Sequence, residues 1–89
     1  MNAKSVAITA TGDITTVTGV LLNSVTFSAG AAAAVATITD GNGGDIICVL
    51  QTTTANYTPS FCPAIPIMCP HGIYATISGT TPKLEVSYI

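Results

Sequence analysis

Short runs rich in Val, Ile and Thr, cut by Gly, Pro, Asn and Asp, constrain this chain more than any other feature. β-Branched residues suit a pleated, half-buried strand. Punctuation about every 8–12 residues is the spacing of a small all-β sandwich or barrel. "KSVAITA" (4–10) reads as a first strand ending at the turn "TGD". "ITTVTGVLL" (14–22) follows as a second, with Gly19 as a bend or bulge. "NSVTFSAG" puts Val25 and Phe27 on one face and Ser24, Thr26 and Ser28 on the other.

The run "AAAAVATITD" (31–40) sets two propensities against each other. Four alanines favour helix, but a helix this short is marginal in water. The later half carries Val35, Thr37, Ile38 and Thr39, so it is expected to be a strand. "DGNGGD" (40–45) is the strongest turn signal in the chain. "IICVLQ" (46–51) is apolar on both faces, which predicts a central strand covered on one side by the core and on the other by a partner or a loop. Residues 52–61 read as a loop or short irregular strand. "CPAIPIMC" (62–69) is expected along a sheet edge, because Pro63 and Pro66 lack backbone donors. "PHG" and "GTTP" are turns. "IYATIS" turns Ile73, Ala75 and Ile77 one way, and "KLEVSYI" does the same with Leu84, Val86 and Tyr88. The expectation is one all-β domain over residues 1–89, a small antiparallel β-sandwich or jelly-roll-like fold. It would have about seven or eight short strands, and residues 1–12 would form its first strand or an N-terminal arm.

Composition narrows the function. Only 7% of the residues are charged, against about 25% in ordinary soluble domains. The hydrophobic share is 48%, so Thr and Ser must supply the polar surface. Such a domain is expected to expose apolar patches, which mark interfaces. Two lysines and no arginine cannot neutralise a run of phosphates, so nucleic acid is excluded as a partner. No apolar run reaches the ~18 residues of a membrane span. The opening "MNAKSVAITATGD" lacks an apolar h-region, which predicts a chain made and used without export.

"CPAIPIMCPHG" (62–72) looks most like chemistry. Zinc ligands come in pairs spaced C-x2–4-C and H-x3–5-H. Cys62, Cys69 and His71 do not follow that spacing, and the fourth ligand, Cys48, lies within a predicted strand. A Cys62–Cys69 disulfide would suit an oxidising compartment. A Cys69 nucleophile would need His71 as an oriented base, and no acid lies close to it in sequence. Asp40, Asn42 and Asp45 could offer oxygens to calcium, but the loop lacks the Glu at position 12 and the flanking helices of an EF-hand. The plainer reading has the cysteines packing as small hydrophobes and the glycines making a hairpin turn. No catalytic, cofactor-binding or metal-binding residue is assigned, no cofactor is expected, and an enzyme is not expected.

Two segments carry a resemblance. "GVLLNSVTFSAGAAAAVATITDGNGGDIICVLQ" runs strand, small-residue turn, strand, glycine turn, strand, and "GIYATISGTTPKLEVSYI" closes the chain. The pattern resembles small virion proteins of tailed bacteriophages, in which G-V-L-x-x-V-x-(F/L)-x-A-G precedes an Ala/Thr strand ending in Asp. Those chains finish with G-(I/L)-Y-x-x-(I/V)-x-G-T-x-P and an alternating strand. The matching positions, with one residue more between Leu21 and Val25 than the pattern has, are Gly19, Val20, Leu21, Val25, Phe27, Ala29 and Gly30, then Asp40, then Gly72, Ile73, Tyr74, Ile77, Gly79, Thr80, Thr81 and Pro82. They fall within residues 17–89, and "CPAIPIMCP" departs from the pattern.

The resemblance implies a capsid decoration or cement protein that stabilises a phage head by contacts with the major capsid protein. Such a protein is made in the host cytoplasm, resides on the capsid surface and self-associates, with a trimer favoured. The alternatives are a tail or neck component, or a carbohydrate-binding β-domain. In the last case Tyr57 would be the residue to test for sugar stacking.

Overall fold

The computed structural model describes residues 4–30, 32–53 and 58–89. Among them every regular element is a strand: β1 Lys4–Ile8, β2 Gly12–Thr15, β3 Val20–Ser28, β4 Val35–Thr39, β5 Ile46–Gln51, β6 Ser60–Phe61, β7 Ile67–Cys69, β8 Ile73–Ser78 and β9 Lys83–Tyr88. One sheet runs β1-β9-β3, with β6 and β7 both on the far side of β3; the other runs β2-β8-β4-β5. All pairings are antiparallel.

The pairing order explains the shape. β4 and β5 form a hairpin across the glycine turn. Around it β3 pairs with β6 and β7, β2 with β8, and β1 with β9, so the two halves of the chain lie side by side like one long hairpin. Rolled up, that hairpin has the strand order of a double-sheet jelly roll. β6 and β7 stand for one strand broken in two, because Pro63 and Pro66 lie between them and cannot donate to a ladder. This break takes the strand count to nine.

The core lies between the sheets and follows the period of two. Leu22, Val25 and Phe27 of β3 and Leu84 and Val86 of β9 meet Ala36 and Ile38 of β4 and Ile73 and Ala75 of β8, all fully buried. β3 stays continuous through a register shift between Leu22 and Ser24. This shift keeps both Leu22 and Val25 inward although they are three residues apart. The start of β4 is tied by Thr52. The Ala34 N–H donates to Thr52 Oγ1 at 3.0 Å, and the Thr52 N–H donates to the Ala34 carbonyl at 2.9 Å.

Two local expectations are corrected. "ITTVTGVLL" is not one strand but β2 and β3, separated by a turn in which Gly19 has φ of 73°. A side chain at that φ is strained, and the strands on either side belong to different sheets. "IICVLQ" is not central. β5 ends its sheet, with Ile46 67% and Val49 49% exposed. Its second apolar face is turned outward.

Candidate functional site

The cysteine–histidine segment is built as wall. Cys69 on β7 is fully buried opposite Val20, and its thiol donates to the Ile67 carbonyl at 3.6 Å. Burial first, and then the negative charge of Asp40, push the Cys69 thiol above its ordinary pKa. A thiol held protonated and bonded into its own strand is a poor nucleophile. Cys48 on β5 is half-buried, and burial pushes its thiol up to about 11. Cys62 is exposed, and all three thiols are free. Among the described residues no three of His, Cys, Asp and Glu stand close enough to hold a metal ion. Tyr57 lies outside the described residues.

His71 does have an acid, supplied from the other turn. Asp40 Oδ1 accepts the His71 backbone N–H at 2.8 Å, and Asp40 Oδ2 lies 2.9 Å from His71 Nδ1. The backbone bond, then the ring bond, hold the Asp40 carboxyl below its ordinary value. The glycine-rich turn makes this approach possible. Gly41 has φ of 78°, and a Cβ there would lie 2.9 Å from the His71 carbonyl oxygen. "DGNGGD" and "PHG" thus form one clamp joining the β4–β5 turn to the β7–β8 turn. Both carboxylate oxygens of Asp40 are engaged within it, which leaves the loop a poorer calcium cradle than its composition promised. Sequence reading missed the clamp because the partners are 31 residues apart. The imidazole itself is 76% exposed. It is oriented as a general base would be, but the nearest thiol in sequence, Cys69, is sequestered.

The other feature is an apolar groove of about 380 Å³ where the β2–β3 turn meets one end of the five-stranded sheet. Its floor is the row Met68–Leu21–Ile89. Met68 pairs with Leu21 in register, and Leu21 and Ile89 exchange two N–H to carbonyl bonds at 2.9 Å. Val17 forms a lip, placed by the turn at Gly19, whose N–H donates to the Cys69 carbonyl at 3.1 Å. Among the described residues lining it, Lys4 is the one that carries a charge. Val17 is 61% and Met68 57% exposed. Farther along the same sheet the outward residues are Thr26, Ser28, Lys83 and Glu85, so the apolar character is confined to one end. Among the described residues lining the groove there is no pair of carboxylates. The groove can take up apolar side chains.

No family model, curated protein or solved structure matches this chain. Among the described residues no helix is long and apolar enough to cross a membrane.

Proposed function

We propose that this chain is a structural protein of a virion, a decoration or cement protein that sits on the capsid and stabilises it through contacts with the major capsid protein. The observation that carries the reading is the groove bounded by Val17, Leu21, Met68 and Ile89, on a chain with only two lysines and four acids. Covering it would remove apolar surface from water at a gain of roughly 25 cal/mol per Å². Few charges would be stripped of water in the process, so little of that gain would be lost to desolvation. Double-sheet jelly rolls serve in viral capsids among other places. A fold alone does not fix a function, so the weight stays on the surface. The segment resemblance described above points the same way.

In this reading the chain is made in the host cytoplasm and ends on the particle. It works by adhesion, without cofactor or catalysis, and self-association adds to its hold. The test is to mix the purified chain with undecorated capsids and to count copies in purified particles by mass spectrometry. Stoichiometric binding that Met68→Glu abolishes supports the reading, as do copies in the hundreds. About a dozen copies would move it to the tail or neck, and absence from the particle would refute it.

A further inference from the structure

A two-sheet fold has open edges, and natural proteins guard them with charges, prolines, bulges or short strands. Here the four edges are guarded to different degrees. β1 begins with exposed Lys4. β2 has four residues, exposed Asp13 and a register shift between Asp13 and Thr15. β6 and β7 have two and three residues, with Pro59, Pro63, Pro66 and Pro70 beside them. β5 is guarded least. Its one irregularity lies at its start, where Ile47 is extra between the pairs Ile38–Cys48 and Thr39–Ile46. It is six residues long, holds no charge and no proline, and exposes Ile46 and Val49.

The ladder also says which groups on β5 are open. The Thr52 N–H donates to the Ala34 carbonyl, and the register from Val35–Gln51 to Ile38–Cys48 is unbroken. In an antiparallel ladder, directly bonded pairs alternate with non-bonded ones. Counting back from Thr52, Leu50 and Cys48 therefore bond to β4, while Val49 and Gln51 turn their N–H and C=O groups to the open side. Among the described residues no strand pairs with β5 on that side, although β6 comes near it.

We infer that this edge is a self-association site, in which β5 of one copy pairs antiparallel with β5 of a second copy about a two-fold axis. The register that uses all four outward residues places Val49 opposite the second copy's Gln51, and the reverse, with the axis beside Leu50. Each such bonded pair exchanges two hydrogen bonds. The two Leu50 side chains, both on the inner face, then meet under the joined sheets and continue the core across the junction. No like charges oppose each other: the two copies of Asp45 stand about ten residues, or roughly 33 Å, apart along the strands. A two-fold interface must be self-complementary, and an uncharged strand with outward groups at alternate residues meets that requirement. The result is a dimer rather than the trimer implied by the resemblance, and it stands independently of any virion role.

The experiment combines light scattering with single-amide hydrogen exchange on the full chain. The expected mass is twice the 8.9 kDa of one chain. At high concentration the amides of Val49 and Gln51 should exchange at least about tenfold more slowly than on dilution, with Leu50 slow in both. The double substitution Val49→Lys with Gln51→Lys sets lysines directly opposite one another across the junction, at positions exposed in the single chain. It should give a folded monomer, because like charges directly opposite are unfavourable. Val49→Lys with Gln51→Glu should restore the dimer. A monomer or trimer at every concentration would overturn the inference, as would a dimer whose Val49 and Gln51 amides stay unprotected. The wild-type exchange data decide even if a variant misfolds. A dimer that ignores capsids would leave this inference standing and remove only the virion reading.

Discussion

Thr52 offers the sharpest test of how this small fold is held. It is 3% exposed, yet its hydroxyl accepts the Ala34 N–H at 3.0 Å and can donate to the Ala34 carbonyl at 3.3 Å. Among the described residues no buried side-chain polar atom lacks a partner. Thr52→Val keeps the shape and deletes the hydroxyl. The Ala34 carbonyl still accepts from the Thr52 N–H, but the Ala34 N–H is left buried and unpaired. That orphan donor costs about 1–3 kcal/mol. A chain of this length has a total stability of roughly 4–13 kcal/mol. The midpoint should therefore fall by roughly 5–20 °C. Thr52→Ser keeps the hydroxyl and loses only a methyl, worth about 0.8 kcal/mol. There is no Trp, so far-UV circular dichroism during urea unfolding is the suitable probe. The slope with denaturant should be unchanged, since the surface exposed on unfolding is the same. Valine as stable as wild type, or serine costlier than valine, would refute the reasoning.

The remaining predictions concern titrating groups. Asp40 has a depressed pKa in the folded chain, so its contribution is present above the ordinary value of 3.8 and is lost as pH falls through the lower folded value. Asp40→Asn should flatten the acid limb of a stability–pH curve below about pH 4; an unchanged limb would show that the clamp adds nothing. The thiols should label in order: exposed Cys62 at once, half-buried Cys48 slowly and faster as pH rises, and Cys69 only on unfolding, which mass spectrometry after timed alkylation would read out.

What was legible in the sequence was mostly local. Alternation in "KLEVSYI" and "IYATIS" placed Leu84, Val86, Ile73 and Ala75 inward because a strand's period of two is a backbone property. The glycines of "DGNGGD" marked a hairpin for the same kind of reason. Position within a sheet was not legible. "IICVLQ" has the composition of a strand covered on both faces, and periodicity cannot distinguish a face covered by the same chain from one left for a partner. The Asp40–His71 clamp was hidden because each turn reads as complete by itself, and only the rolled hairpin brings the two together. The groove was hidden for a related reason: Val17, Leu21, Met68 and Ile89 come from three separate stretches and share only a row across the ladder.

The two apolar features lie on different sheets, and this has a consequence for how the protein would work. β5 closes the edge of the four-stranded sheet, while the groove lies at one end of the five-stranded one, beside the β2–β3 turn. Joining two copies through β5 therefore consumes neither groove. A two-fold dimer would present two identical grooves, and a surface repeated by symmetry, such as a shell, could engage both. The second contact is then intramolecular, with avidity exceeding a single contact by ~10²–10⁴-fold when the spacing matches and by nothing when it does not. A monomeric Val49→Lys, Gln51→Lys variant should accordingly keep its groove yet bind a repeated surface far more weakly than the wild type. Equal binding by the two would mean that adhesion rests on the groove alone, and that pairing at β5 serves only to cover an open edge.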